Sequence, residues 1–437
     1  MIKSIKISNF KSIKNVNMQL SNLNILCGEN ASGKTSIIHA LLIAAQKTTG
    51  DFSADGVIVK IGELNELKNI TSTGELQITV KCGDEIKEIS FVKNDDVSQN
   101  RSSKLIVNPD PSDILTFEKR LFYLSSNRTG VMDTYSKGNY LFGTNGEAVI
   151  DFFYKQQEEF LGQEYMDKFK KAYPDASTSE NRKFIEHVRF WMEYITGEDI
   201  TIDSIPYTNQ YTLRFGTNIR PINTGSGYSF LLPIIVVCLG AILVGEKLPT
   251  VILENPEIYL HPTAQKRLSD FFTFCKHFIQ LIVETHSEHL LKNILDKKET
   301  RTKVFVVKKV NNNTKCYPFT HKNFKTYPIS YPEVIYQAFG IASAELHIQL
   351  FGILHSRFIH RTRMNERLKT FDDYLSGISG VPLKTWINTN NNVQYNTLPT
   401  FIRNKIDHPE AKNTNNRKYS YTEQELKESI DWMLLQI

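Results

Sequence analysis

The sequence has few of the features that mark secreted or membrane proteins. Its 437 residues include five cysteines, none of them in a Cys-x-x-Cys pair, so we predict reduced core cysteines in a cytosolic protein. Residues 1–7 alternate like a strand, which argues against a signal peptide. The longest apolar run, 228–244, is shorter than the ~20 residues of a membrane span and contains Pro233 and Gly240. We predict a buried core helix there and no membrane partner.

Charge of one sign and long heptad repeats are also scarce. The net charge of +5 is too small to indicate nucleic-acid binding by itself. No heptad pattern is sustained over many turns, so a long coiled-coil arm is not predicted. The chain is 41% hydrophobic, which is enough for one large core and a second, smaller one.

The most informative stretch is Gly-Glu-Asn-Ala-Ser-Gly-Lys-Thr at 28–35, which follows the apolar run 23–27 and precedes a helical pattern at 36–42. The glycines allow backbone amides to surround a triphosphate, the lysine reaches the terminal phosphates, and the threonine hydroxyl can ligate magnesium. ATP and Mg²⁺ are therefore the predicted cofactors. The predicted nucleotide contacts in this phosphate loop are Gly28, Asn30, Ala31, Ser32, Gly33, Lys34, Thr35 and Ser36.

The rest of the first 330 residues predicts an α/β core. Short alternating segments at 1–20 and 58–92 indicate an antiparallel β subdomain beside the nucleotide site. Residues 147–200 have a helical and charged pattern, and apolar strands follow at 250–254, 278–287 and 303–307. Strands that alternate with helices predict an α/β fold with a mixed sheet and a helical lobe.

Four further features occur in a fixed order along this core. Arg128 follows a buried strand, and a Gly-Ser-Gly turn at 225–227 precedes the apolar helix. Glu254 ends the next strand, and His286 ends the strand after it. A carboxylate at a strand end beside the phosphate loop can hold magnesium. The alternative is a structural acid that forms hydrogen bonds with nearby backbone and binds no metal.

Together these motifs resemble the ABC-type ATPases of the SMC/RecF class, and more closely the compact "overcoming lysogenisation defect"-like ATPases of antiphage systems. The resemblance covers roughly residues 1–310 and is carried by the sequence motifs at 6–13, 142–147, 253–262 and 284–287. It implies that Glu254 has the Walker B role, that His286 senses the terminal phosphate, and that Ser226 and Gly227 belong to a signature turn. It also implies a homodimer, in which each signature turn faces the phosphate loop of the opposite subunit.

One position departs from the family pattern. Most ABC-type ATPases have a glutamate directly after the magnesium carboxylate, and this chain has Asn255. An amide can position water but cannot accept a proton at neutral pH, so we expect slow turnover unless Glu257 substitutes. For Arg128 two interpretations remain open: a nucleotide or dimer contact, or an ion pair with a structural acid.

The last hundred or so residues are more polar and predict an all-α domain at 331–437, with helices at 344–358, 363–375, 398–406 and 422–435. Arg403 and His408 have the spacing found in HEPN ribonucleases, which they resemble, and would then act on RNA. The alternatives are a docking or nucleic-acid-sensing module, or two polar residues that finish a surface helix. Basic residues around them suit an acidic partner in each case.

We therefore expect a cytoplasmic, dimeric ABC-type ATPase with domains at 1–330 and 331–437. By analogy it is the sensor or regulatory subunit of an antiphage system such as Septu or PARIS. The toprim pattern of nuclease-bearing relatives is absent from the sequence, so the effector, a nuclease or toxin, would be a separate protein. The alternatives are an ATP-gated HEPN-like ribonuclease toxin and a RecF-like DNA-repair ATPase.

Overall fold

The structure is a computed structural model. It describes residues 1–46, 55–56, 58–62, 64–72, 74–83, 85–93, 103–108, 119–128, 141–204, 211–216, 219, 225–246, 248–297, 300–319, 325–326, 330–363, 367–388, 392–408 and 420–437. The chain divides into two compact units, Met1–Pro318 and Phe319–Ile437. This division falls earlier in the chain than the domain boundary that we predicted at 330.

The first unit contains thirteen strands and eight helices within its described residues. The strands are β1 (Ile2–Phe10), β2 (Ile13–Gln19), β3 (Leu23–Cys27), β4 (Leu76–Cys82), β5 (Glu85–Lys93), β6 (Ser103–Asn108), β7 (Leu121–Leu124), β8 (Ile200–Ser204), β9 (Tyr211–Phe215), β10 (Thr250–Glu254), β11 (Gln280–Thr285), β12 (Thr302–Val310) and β13 (Asn313–Pro318). The helices are α1 (Lys34–Ala45), α2 (Leu64–Leu67), α3 (Val149–Gln156), α4 (Gln163–Ala172), α5 (Phe184–Thr196), α6 (Ser226–Val244), α7 (Pro262–Cys275) and α8 (Glu288–Asp296).

A six-stranded sheet in the order β13-β12-β3-β11-β10-β7 forms the centre of this unit. The strands from β12 to β7 pair in parallel, and β13 pairs with β12 antiparallel. All residues of β3, β10 and β11 are buried, as expected for parallel strands covered on both faces. Because parallel strands end at the same edge of a sheet, this topology brings the segments after β3, β7, β10 and β11 together.

A five-stranded antiparallel sheet, in the order β2-β1-β4-β5-β6, lies beside the central sheet. Strand β1 alternates buried Ile5 and Ile7 with exposed Lys6, so one face of this sheet contributes to the core that also buries α1. The remaining strands, β8 and β9, form a two-stranded hairpin. The predicted α/β head with a mixed sheet and an antiparallel β subdomain is confirmed.

The helical lobe of the first unit consists of α3 to α7. Trp191 of α5 is fully buried, with its ring 4.8 Å from that of Phe271 on α7. Helix α6 is long and apolar enough to cross a membrane, yet two thirds of its apolar window (67%) is buried inside the unit. Its burial agrees with the core helix predicted from the sequence.

The second unit contains α9 (Tyr331–Phe339), α10 (Ala344–Thr362), α11 (Leu368–Ser376), β14 (Leu383–Asn388), β15 (Val393–Thr397), α12 (Leu398–Asp407) and α13 (Glu423–Gln436). The four predicted helices correspond to α10, α11, α12 and α13. The prediction of an all-α domain is wrong at β14 and β15, which form an antiparallel hairpin. Trp386 of β14 stacks on Tyr395 of β15 at 4.5 Å, and such a cross-strand aromatic pair stabilises a strand pairing in a segment otherwise rich in asparagine.

Candidate functional site

The phosphate loop runs from the end of β3 to the start of α1, as the sequence predicts. Gly28 has φ 156° and Gly33, the N-cap of α1, has φ 105°. A Cβ atom on Gly28 would lie 2.1 Å from the carbonyl oxygen of Val307, and one on Gly33 would lie 2.1 Å from Thr314 Oγ1. Both positions therefore require glycine for conformation and for space.

The Lys34 side chain is folded back onto its own loop. Its Nζ donates hydrogen bonds to the carbonyl oxygens of Gly28 at 3.1 Å and Glu29 at 2.9 Å. Burial lowers the pKa of Lys34 below its usual value, and the Glu284 carboxylate opposes this shift. The hydroxyl of Ser32 is buried with no hydrogen-bond partner among the described residues. The loop thus holds a cation and an unused hydroxyl where an anionic ligand would bind.

A residue that the sequence analysis did not select supports this loop from behind. Thr314, on β13, donates its hydroxyl to the carbonyl oxygen of Ser32 at 2.9 Å. Its Oγ1 also lies 2.7 Å from Ser12 Oγ, and its backbone N–H donates to the Ser12 carbonyl oxygen at 2.7 Å. Thr314 therefore joins the phosphate loop to the β1–β2 turn.

Two carboxylates lie side by side at the end of the central sheet. Glu254 of β10 and Glu284 of β11 are paired in register, and both are buried. Thr35 Oγ1 donates to Glu284 Oε1 and Oε2, each at 3.1 Å. Burial raises the pKa of Glu284 to about 7, and the neighbouring charge of Glu254 adds to this shift. The sequence pattern identifies Glu254 as a metal ligand but not Glu284, although Glu284 is also close to the end of an apolar strand.

The turn after β10 carries an amide side chain, Asn255, directly after Glu254. Asn255 has φ 43°, and its backbone N–H donates to the carbonyl oxygen of Glu284 at 2.9 Å. Its side-chain oxygen is buried with no hydrogen-bond partner in the described part of the chain. The Asn255 amide is therefore held at the strand ends by its backbone, with its side-chain oxygen still able to accept a hydrogen bond.

Glu257 and His286 connect the turns after β10 and β11. Glu257 is buried, and its Oε1 accepts a hydrogen bond from the backbone N–H of His286 at 2.7 Å. Burial raises the pKa of Glu257 above its usual range. Burial and the Lys34 charge lower the pKa of the exposed His286 ring, while the nearby backbone of Gly28 opposes this shift. His286 therefore lies beside the phosphate loop.

The Arg128 guanidinium bonds to the main chain and lies near the acids Glu257 and Glu254, whose charges favour its charged form. Its guanidinium donates to the carbonyl oxygens of Ser125 at 3.0 Å, Glu254 at 2.6 Å and Asn255 at 2.8 Å. The side chain is 3% exposed, and burial lowers its pKa to about 10. A nucleotide or dimer contact would need donors that face outward, and here three of them bond to main-chain carbonyls. Arg128 instead fixes the turn that carries Glu254 and Asn255.

The Gly-Ser-Gly turn caps α6 and borders a different cavity. Gly225 and Ser226 are exposed, and a Cβ atom on Gly227 would lie 2.8 Å from the Tyr259 carbonyl oxygen. The cavity has a volume of about 590 Å³, and its lining residues include Gly225, Ser226, Gly227, Tyr259, His261 and Arg267. No residue of the chain's own phosphate loop is among the residues that line it.

The donors at the strand ends suit a magnesium–nucleotide complex. Thr35, Glu254 and Glu284 offer hydroxyl and carboxylate oxygens, which Mg²⁺ prefers, and Mg²⁺ takes its remaining ligands from phosphates and water. Glu254 Oε1 is buried with no hydrogen-bond partner among the described residues. No group of three or more His, Cys, Asp or Glu side chains that could hold a metal was found in the described ranges. The fit is therefore to a metal that arrives with a nucleotide and not to an all-protein metal cage.

The two residues of the HEPN-like spacing lie in the second unit. Arg403 is on α12 and forms an ion pair with Asp407 one turn later. His408 is the exposed C-cap of the same helix, and its backbone N–H donates to the Asn404 carbonyl oxygen at 2.9 Å. Three of the basic residues around this motif, at positions 412, 417 and 418, lie outside the described residues.

Comparison with known proteins identifies several similarities. A family model described as "AAA ATPase domain" matches residues 1–194 and 162–291. The chain is 38% identical over 61 residues to the DNA replication and repair protein RecF of Lachnoclostridium phytofermentans, covering 14% of this chain and 17% of that protein. It is 29% identical over 125 residues to RecF of Acetivibrio thermocellus, covering 27% of this chain and 34% of that protein. The chain thus spans about a third or less of these curated relatives.

Among solved structures, the SMC head domain from Thermotoga maritima is similar with a TM-score of 0.40 and 14% identity, over 73% of this chain and 99% of that chain. The SmcHead bound to the C-winged helix domain of ScpA is similar with a TM-score of 0.45 and 16% identity, over 74% of this chain and 98% of that chain.

Proposed function

The chain belongs to the AAA ATPase domain family, and on this basis we propose that it is an ABC-type ATPase of the SMC/RecF class that binds ATP with Mg²⁺ and hydrolyses it slowly. The observation that carries this proposal is the meeting of Thr35, Glu254 and Glu284 at adjacent strand ends. Phosphate-loop residues and carboxylates in this arrangement bind a nucleoside triphosphate through its phosphates and its metal.

On ATP binding, Lys34 exchanges the carbonyl oxygens of Gly28 and Glu29 for phosphate oxygens. This exchange is favourable because the charged ammonium gains an anionic partner in a buried site. The Ser32 hydroxyl and the N-terminus of α1 supply further donors. Mg²⁺ arriving with the nucleotide would neutralise phosphate charge, and Thr35, Glu254 and Glu284 are the residues that would hold it, directly or through water.

Slow hydrolysis follows from the groups that face the attacking water. Asn255 can orient water through its free side-chain oxygen but cannot accept its proton. Glu257 can substitute only through its Oε2, which is buried with no hydrogen-bond partner among the described residues, because its Oε1 accepts a hydrogen bond from the backbone N–H of His286. Without a free base directly after Glu254, the chain acts mainly as an ATP-dependent switch whose occupied and empty states differ.

The second element of the proposal is a homodimer formed around ATP. The signature turn at the start of α6 borders a cavity without residues of its own phosphate loop, so its exposed residues Gly225 and Ser226 are available to the nucleotide of a second copy. The 19-residue helix α6 directs the positive end of its dipole to this turn. Two chains would then enclose two ATP molecules, each bound by one phosphate loop and one signature turn.

The biological role that we propose is regulation of a separate effector in an antiphage system, in the cytoplasm, through this ATP-dependent dimer. The second unit would dock that partner. A ribonuclease activity in the same unit is the second candidate, because His408 is exposed at the end of α12. The ion pair of Arg403 with Asp407 weighs against it, since that arginine would first have to be released to contact RNA.

Binding of a fluorescent ATP analogue with Mg²⁺ tests the proposal. We expect the wild-type chain to bind the analogue and Lys34→Ala to bind it roughly 10- to 100-fold more weakly, the effect of losing one charged hydrogen-bond donor. Native mass spectrometry with ATP then separates the roles: a stoichiometric partner supports regulation, and a bare homodimer with RNA cleavage lost in His408→Ala supports the ribonuclease. Equal nucleotide binding by Lys34→Ala and wild type would contradict the ATPase proposal.

A further inference from the structure

The hydroxyl of the phosphate-loop threonine is bonded to Glu284 and not to the predicted Walker B acid. Thr35 Oγ1 lies 3.1 Å from both carboxylate oxygens of Glu284. The threonine after the phosphate-loop lysine is the residue that ligates magnesium in this class of site. The carboxylate beside that hydroxyl is therefore the protein acid closest to the expected position of the metal.

The topology explains why Glu284 reaches this position. Strand β11 pairs directly with β3, the strand that feeds the phosphate loop, and Thr285 lies opposite Cys27. Strand β10 is one strand further away, because it pairs with β11 and β7. Glu284 thus lies one residue before the end of the strand next to the phosphate loop, while Glu254 ends the second strand.

The Glu254 carboxylate has contacts on the side away from the phosphate loop. Its Oε2 accepts a hydrogen bond from the backbone N–H of Ser126, after β7, at 3.1 Å. The Tyr123 hydroxyl also lies against this carboxylate, which together with burial raises the pKa of Tyr123. One oxygen of Glu254 is thus already directed to the segment after β7.

We propose that Glu284, together with the Thr35 hydroxyl, directly ligates the Mg²⁺ of the bound nucleotide. Glu254, on the strand beyond Glu284, then stabilises the metal through its charge without ligating it directly. This inference rests on the proposed function. Two neighbouring oxygen ligands of an octahedral Mg²⁺ are about 3 Å apart when each lies about 2.1 Å from the ion. The Thr35 and Glu284 oxygens already have this spacing, at 3.1 Å.

Titration of Mn²⁺, followed by electron paramagnetic resonance in the presence of a non-hydrolysable ATP analogue, tests this assignment without requiring turnover. We expect Glu284→Gln to weaken Mn²⁺ binding to the nucleotide-loaded protein by about tenfold or more. Affinity for the analogue in EDTA should not fall, because the substitution removes a negative charge from beside the phosphates. Glu193→Gln, an exposed substitution on α5, is the matched control for the loss of one carboxylate and should bind Mn²⁺ as the wild type does.

Comparison with Glu254→Gln decides between the two acids. Wild-type Mn²⁺ affinity in Glu284→Gln, together with a large loss in Glu254→Gln, would overturn the assignment and leave the ATPase proposal intact. A wild-type chain that binds no nucleotide, with or without metal, would overturn both. If Glu284→Gln does not fold, Glu284→Asp serves: its shorter side chain withdraws the carboxylate and should weaken Mn²⁺ binding several-fold, and unchanged affinity overturns the assignment.

Discussion

Glu257 Oε1 accepts a hydrogen bond from the backbone N–H of His286 at 2.7 Å, so that a buried carboxylate joins the turn after β10 to the turn after β11. The sheet itself joins β10 and β11 only up to the pair Glu254 and Glu284. Beyond that pair the two turns depend on contacts such as this one. The position of His286 against Gly28 therefore depends on a residue of the neighbouring turn.

Replacing Glu257 with alanine should free the His286 turn. We expect the free energy of unfolding to fall by about 0.5–1.5 kcal/mol, because a partly buried backbone hydrogen bond is lost. Urea unfolding of Glu257→Ala measures the change, with Glu193→Ala as an exposed control. Nucleotide binding should persist, since Glu257 does not belong to the phosphate loop. Equal stability of the two variants would show that the bond to His286 contributes little.

Asn255→Glu should accelerate hydrolysis. A carboxylate at this position can accept the proton of the attacking water, and a positioned general base contributes 10²–10⁴-fold in other enzymes. We expect an increase at the low end of this range or below it, about tenfold or more. The full effect is not expected because the positive φ of this residue is less favourable for glutamate than for asparagine. Steady-state phosphate release measures the rate, and Asn255→Gln, which adds the same length without the charge, is the control. Equal rates in both variants would contradict the proposed cause of slow turnover.

Gly33→Ala should damage the phosphate loop more than a change of backbone conformation alone explains. The added Cβ would lie 2.1 Å from Thr314 Oγ1, whereas a Cβ on Gly197, whose φ of 87° is also positive, meets no atom within 4 Å. Gly197→Ala therefore measures the conformational cost, about 1–2 kcal/mol. Thermal unfolding and ATP-analogue binding should both be lower in Gly33→Ala than in this control. Equal losses would mean that the loop moves away from Thr314 at little cost.

Ser226→Asp should prevent ATP-dependent dimerisation while leaving ATP binding by the single chain intact. An aspartate at the first residue of α6 is favourable for the helix itself, so folding should persist. Its charge would repel the phosphates of a nucleotide brought by a second copy. Light scattering after size-exclusion chromatography, with a slowly hydrolysed ATP analogue, measures the mass. Thr201→Asp, an exposed change on β8, should still dimerise, and a dimer of Ser226→Asp would contradict the role of the signature turn.

Acid should destabilise the first unit through His39 of α1. Burial, assisted by the Lys11 charge, lowers the pKa of His39 from 6.5 to about 4, and Lys11 Nζ lies 2.7 Å from its Nδ1. Between pH 6.5 and 4 the unfolded chain binds more protons than the folded chain at this residue, so its contribution to stability is present above pH 6.5 and is lost as the pH falls. From pH 7 to pH 5 we expect His39→Asn to lose about 1–2 kcal/mol less stability than the wild type. Parallel pH profiles in urea unfolding would contradict this prediction.

The sequence was most informative where chemistry depends on residues adjacent in the chain. The phosphate loop, the acid at the end of β10 and the histidine after β11 have local signatures, and the structure brings their segments to one edge of the central sheet. Thr314 and Glu284 were missed because their partners, Ser32 and Thr35, are distant in sequence. Which strand neighbours β3 is a matter of sheet order, and no local pattern determines it.

The main-chain contacts of Arg128 and the β14–β15 hairpin were not predicted, for related reasons. The guanidinium of Arg128 donates hydrogen bonds to main-chain carbonyls. Every residue has such a carbonyl, so the sequence gives no sign of which ones a buried arginine contacts. The hairpin is held by the stacking of Trp386 on Tyr395, a contact between strands whose alternation is obscured by polar residues. The sequence did not indicate which residues of β14 and β15 pair across the turn that joins them.

The register between β10 and β11 makes the length of β11 as important as its composition. Glu254 faces Glu284 as a direct Cα partner, and successive side chains of a strand point to opposite faces of the sheet. Insertion or deletion of one residue between Gln280 and Glu284 would therefore move the Glu284 carboxylate to the other face of the sheet, away from Thr35. The sequence motifs themselves would remain intact. Related chains that keep this metal arrangement should consequently keep the number of residues in this strand, even where its apolar residues change.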